Sequence, residues 1–115
     1  MIIDAHVHFD ERVDGTAEGA ARELARQTRE AGIARVVALH LDVQPWSPEE
    51  VSEAIASYQE IKAFVNIHPE RTDAEPLLRN AIKNLGFIGL KLHPRLQEFA
   101  VDSVQTVKLV KVAAK

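Results

Sequence analysis

Two histidines one residue apart, His6 and His8, stand inside the opening stretch Met1-Ile-Ile-Asp-Ala-His-Val-His-Phe9. Ile2 to Val7 is short, apolar and rich in β-branched residues, which predicts a buried strand. Alternation along such a strand places Asp4, His6 and His8 on one face and Ile3, Ala5 and Val7 on the other. Two neutral imidazoles side by side can hold one divalent cation from one side. The same pair is also what two unliganded histidines at an exposed strand end would look like. A His-x-His motif is therefore weighed by the elements around it.

Those elements alternate. A charged turn after Phe9 leads to Thr16 as a predicted N-cap, and Ala20, Ala21, Leu24, Ala25, Thr28 and Ala31 recur at helical spacing up to Gly32. Ile33 to Leu41 gives a second strand. Ser47-Pro48-Glu49-Glu50 is a capping box with proline at the first helical position, opening a helix through Val51, Ala54, Ile55 and Tyr58. Ile61 to Ile67 is a third strand, and Thr72-Asp-Ala-Glu75 has the form of another capping box. Its helix points Leu77, Leu78, Ala81, Ile82 and Leu85 inward and stops at Gly86. Phe87 to Leu92 is a fourth strand. The segment from about Asp102 to Lys115 sets Val104, Val107, Val110 and Ala114 at helical spacing.

The order βαβαβαβα, within a single domain over 1–115, predicts an α/β fold with a parallel sheet: four βα units, the size of the first half of a TIM-type (β/α)8 barrel. A complete barrel takes ~250 residues. No glycine-rich fingerprint follows the first strand, which disfavours a nucleotide-binding open sheet.

All five histidines, His6, His8, His40, His68 and His93, fall at the carboxyl ends of the four predicted strands. In parallel α/β folds those ends form one rim, where ligands bind. On the fourth strand Gly89, Lys91 and His93 share a face. Lys91 is a candidate to bind a substrate carboxylate, or to bridge metals if carbamylated; the plainer role is a lysine whose stem packs and whose ammonium reaches solvent or a carboxylate. His93 is a candidate to contact substrate or move a proton, or else a hydrogen-bonded strand-end histidine. His40 and His68 are expected to be mainly structural, Arg95 solvated, and Asp4 either an orienting acceptor for a histidine or a partner within the barrel floor.

Composition narrows the classes. With no cysteine, a metal must be held by nitrogen and oxygen, and a reducing cytoplasm is expected. A net charge of -3 with the two signs interspersed supplies no stripe for a nucleic-acid backbone. No apolar run reaches the length of a membrane span, and the start lacks the pattern of a signal peptide. The expected partner is a small-molecule substrate, with no nucleic acid and no membrane. The open edges of a half-barrel sheet make a homo-oligomer a further expectation.

Met1-Ile-Ile-Asp-Ala-His-Val-His-Phe9, Ala63-Phe-Val-Asn-Ile-His-Pro69 and Gly86-Phe-Ile-Gly-Leu-Lys-Leu-His-Pro94 together resemble the amidohydrolase superfamily, in particular its amidohydrolase-related branch of metal-dependent hydrolases and decarboxylases. The resemblance implies a (β/α)8 barrel with a divalent metal, zinc foremost, held by His6 and His8, and a metal-activated water that attacks an amide, lactone or ester carbonyl, or a decarboxylation instead. It also implies further ligands from the fifth, sixth and eighth strands, beyond the four units present. Two donors fall short of the three typical of catalytic zinc. The alternatives are a non-catalytic half-barrel serving as a binding or assembly module, and a His-x-His phosphoesterase, which the lack of a basic groove disfavours.

Overall fold

The computed structural model describes residues 1–114. Its elements are β1 (Ile3–His8), α1 (Ala17–Glu30), β2 (Arg35–Leu39), α2 (Pro48–Ile55), β3 (Ile61–Asn66), α3 (Ala74–Asn84), β4 (Gly89–Lys91), α4 (Pro94–Gln97) and α5 (Val104–Ala113). The four strands form one sheet in the order β1-β2-β3-β4, all neighbours parallel. An order that never reverses has no switch point. It is the arrangement of successive units in a TIM-type barrel, and not that of a doubly wound sheet.

One face of the sheet carries the core. Val36 and Ala38 of β2, Ile61, Ala63 and Val65 of β3, and the half-buried Leu90 of β4 meet Ala20, Ala21 and Ala25 of α1, Val51 of α2, Leu78 and Ala81 of α3 and Leu109 of α5. The alanines of α1 let that helix lie close to the strands, and burial of these side chains is the main stabilising term. The opposite face carries the alternate residues. There Phe64 stands level with Gly89, and a Cβ on Gly89 would come within 2.9 Å of the Phe64 ring. Glycine at this position is what lets β4 approach β3 at the ring.

The helix boundaries follow the chain's capping chemistry. Thr16 accepts a hydrogen bond from the Gly19 amide, and Ser47 and Glu50 form the reciprocal capping box. Gly32 and Gly86 take positive φ, as C′ residues do. Other expectations are corrected. The third helix is capped by Asp73 with no side-chain bond, because its carboxylate is held by the Arg71 guanidinium at 2.8 and 3.0 Å. After β4 the chain makes the single turn α4, too short to show a period in the sequence.

The predicted C-terminal helix begins at Val104 under a Ser103 cap, and its expected last residue, Lys115, lies outside the described residues. Its buried residues are Thr106 and Leu109, whereas Val104, Val107 and Val110 are exposed. Ala31 and Ile82, expected inside, are exposed too.

In β1, Ile3 lies level with Arg35, Asp4 with Val36, Val7 with Ala38 and His8 with Leu39. Three steps of β1 match two of β2, so a bulge lies between Asp4 and Val7. Strict alternation is lost there. Asp4 falls level with the core-facing Val36 and leaves the face expected for it alongside His6 and His8.

Candidate metal centre

Strand β1 brings His6 and His8 together at its carboxyl end, with ring centroids 5.2 Å apart and ring planes at 83°. Both residues are exposed. Two imidazoles sharing one tetrahedral zinc at Zn–N ≈ 2.0–2.1 Å have centroids about 5 Å apart, so the spacing of this pair fits a shared cation. Partial burial holds the His8 pKa below its ordinary value, with the nearby His6, Lys91 and His93 adding to the shift and a backbone hydrogen bond with Leu39 opposing it. The neutral ring, the form that ligates a metal, is thereby favoured. Asp4 accepts from the His6 backbone amide at 3.1 Å, which ties the carboxylate to the main chain and not to an imidazole. Among the described residues no group of three His, Cys, Asp or Glu side chains is placed to hold a metal. A metal held by this pair would need further donors.

Lys91 and His93 approach the same rim from β4, near enough for both to act electrostatically on His8. Among the described residues Lys91 has no carboxylate within salt-bridge distance, and it is half-buried. His93 caps α4. Its Nδ1 accepts from the Leu96 amide at 3.2 Å, which leaves Nε2 without a hydrogen bond to a described residue.

The other two histidines are committed to structure. His40 is buried; its Nδ1 accepts from the Asn66 amide at 3.1 Å, which leaves the Nε2 proton to donate to the Trp46 carbonyl at 3.3 Å. Burial pushes its pKa down, only partly opposed by the Trp46 contact. His68 is held in the same way, with Nδ1 accepting from the Glu70 amide at 3.1 Å and Nε2 donating to the Gln97 carbonyl at 2.7 Å.

Two residues not singled out in the sequence tie these ends together. Asn66, buried at the end of β3, accepts from the Asp42 amide and donates to the Lys91 carbonyl and to Gln97 Oε1, each at 2.9 Å. The buried Gln97 donates to Asp42 Oδ2 at 2.8 Å and accepts from the His93 amide at 3.2 Å. The loop after β2, the end of β3, the end of β4 and α4 are thus locked by one polar network. The single visible signal was a polar residue, Asn66, at the end of the apolar run Ala63-Phe-Val-Asn-Ile. Nothing in the sequence marked Gln97 as its partner. Arg95, on α4, is exposed.

No family model matches the chain, and no curated protein sequence matches it. Among solved structures it is similar to a probable 2-pyrone-4,6-dicarboxylic acid hydrolase from Acinetobacter baumannii, crystallised with citric acid bound, with a TM-score of 0.66 and 16% identity. The match covers 97% of this chain and 45% of that one, so the chain spans somewhat less than half the length of the protein it resembles. At that identity the likeness establishes the fold: four βα units of a TIM-type barrel.

Proposed function

We propose that the chain carries the amino-terminal half of the active site of a metal-dependent hydrolase of the amidohydrolase type. The observation that carries this reading is the His6–His8 ring pair, 5.2 Å between centroids, at the carboxyl end of the first barrel strand. His6 and His8 would hold a divalent metal, with zinc favoured by an all-nitrogen and oxygen donor set and the absence of cysteine. A metal bound there would lower the pKa of a bound water and polarise the substrate carbonyl. Lys91, an ammonium with no carboxylate partner among the described residues, binds and orients a substrate carboxylate. His93, whose Nδ1 is fixed by the Leu96 amide, presents Nε2 to take or give a proton at the reacting group. The substrate class that fits is a lactone, ester or amide bearing a carboxylate, in keeping with the dicarboxylic acid named for the structural neighbour; decarboxylation of such an acid is the second chemistry open to the same groups.

Elemental analysis of the purified protein beside the His6→Ala/His8→Ala variant tests the reading. Bound zinc or another divalent metal in the parent and none in the variant supports it. Equal metal content in the two, or none in either after zinc supplementation, replaces it with a non-catalytic half-barrel acting as a binding or assembly module.

A further inference from the structure

Resting on the reading of this rim as an active site, we infer that His93 serves it as a fixed hydrogen-bond donor. The neutral ring carries its proton on Nε2, offers it to an oxygen of the substrate, and does not take a proton there. The reason lies in the turn that follows β4. His93 is the N-cap of α4, and its Nδ1 accepts from the Leu96 amide at 3.2 Å. A proton on Nδ1 would meet that N–H donor against donor, so the single proton of the neutral imidazole stands on Nε2.

The same device occurs three times on the rim, and what it delivers differs. Nδ1 of His40 accepts from the Asn66 amide and Nδ1 of His68 from the Glu70 amide, each at 3.1 Å. Both rings spend the resulting Nε2–H inside the fold, on the Trp46 and Gln97 carbonyls. The Nε2–H of His93 has no hydrogen-bond acceptor among the described residues, and the residue is half-buried.

The main chain under this ring is held as firmly as the ring. The Gln97 amide donates to the His93 carbonyl at 2.9 Å, and Gln97 Oε1 accepts from the His93 amide at 3.2 Å and from Asn66 Nδ2 at 2.9 Å. The direction of Nε2–H is fixed with them. Lys91, two residues back along β4, adds an ammonium with no carboxylate partner among the described residues. Two donors and no acceptor select an oxygen that carries negative charge, as a carboxylate or as a carbonyl under attack. A neutral imidazole used in this way polarises a carbonyl and keeps its proton.

Nitrogen-15 spectra of the imidazoles in the metal-free 115-residue chain test the tautomer at about pH 8, well above the ordinary imidazole pKa. His93 should show a bare Nδ1 and a protonated Nε2, and the Leu96 amide nitrogen a scalar coupling to His93 Nδ1 through the hydrogen bond. A proton on Nδ1, or an even mixture of tautomers, overturns the inference. Leu96→Pro removes that one amide in a first turn, where N–H groups have no helical partner. Loss of the fixed tautomer at His93, with His40 and His68 unchanged, is expected, and an unchanged His93 overturns the role given to α4. If the variant does not fold, the coupling in the parent chain decides: its absence overturns the same role.

Malonate added to the metal-free chain probes the oxygen that Nε2–H faces. The His93 Nε2–H and Lys91 side-chain resonances should shift together, and no response at His93 overturns its substrate-facing role. Failure of the metal reading shows in metal content alone and leaves these results standing, whereas a wrong tautomer leaves the His6–His8 reading untouched.

Discussion

The rim of the sheet holds two kinds of histidine, and the contrast separates scaffold from chemistry. At β2 and β3, His40 and His68 each have both ring nitrogens engaged by main-chain groups. At β1, His6 and His8 face one another, exposed, with no carboxylate of a described residue on their rings. His93 at β4 is intermediate, with one nitrogen used as a helix cap. Parallel topology brings all five to one side. Local hydrogen bonding then decides which remain open to a ligand.

If the β2–β4 rim is scaffold, cutting it should cost most. Asn66→Ala removes three side-chain hydrogen bonds from a buried site and orphans the Asp42 amide and the Lys91 carbonyl. A loss of about 3 kcal/mol is expected in urea denaturation. A loss under about 0.5 kcal/mol, typical of an indifferent surface site, would mean the network does not hold the strand ends.

His40→Gln should cost less, about 2 kcal/mol, and should also change how stability responds to pH. Burial holds the folded pKa of His40 below its ordinary 6.5. Between that folded value and 6.5 the unfolded chain binds more protons than the folded one, so stability falls as pH drops below about 6.5. His8 is shifted the same way and adds to the fall. Denaturation midpoints from pH 7.5 to 5 should slope less steeply in the variant, and an unchanged slope would remove His40 from this account.

Ser47→Ala, which breaks the capping box of α2, should cost about 1 kcal/mol with no pH signature, a control for ordinary helix capping. The smallest effect is expected at the β1 rim. His6→Ala/His8→Ala should alter metal-free stability by less than about 0.5 kcal/mol, because both rings are exposed. A loss as large as that of Asn66→Ala would erase the distinction between the two rims.

Much of this was legible along the chain because its signals are local. Ser47-Pro48-Glu49-Glu50, Thr16, Gly32 and Gly86 mark helix ends within a few residues, and the apolar runs mark the four strands in their observed order. The gathering of the histidines followed from strand ends and parallel topology alone. What the sequence could not sort was which histidines are spoken for, since His40 is held by Asn66 at a separation of 26 residues and His68 by Gln97 at 29.

At two places tertiary structure adds what periodicity does not carry. Alternation placed Asp4 beside His6 and His8, but a one-residue bulge, invisible to periodicity, moved it level with Val36. The apolar Val104, Val107 and Val110 of α5 mark the helix by their spacing yet are exposed, whereas Thr106 and Leu109 are the residues that α5 buries. Thr106 tolerates that position because its hydroxyl donates to the Ala100 carbonyl at 2.9 Å.

The most direct test of the contrast is a zinc titration followed by proton–nitrogen correlation spectra of the five imidazoles. The ring nitrogens of His6 and His8 should shift together and saturate, while those of His40 and His68 stay where they were. Shifts at His40 or His68, or no response at His6 and His8, would contradict the assignment of β1 as the metal-binding rim.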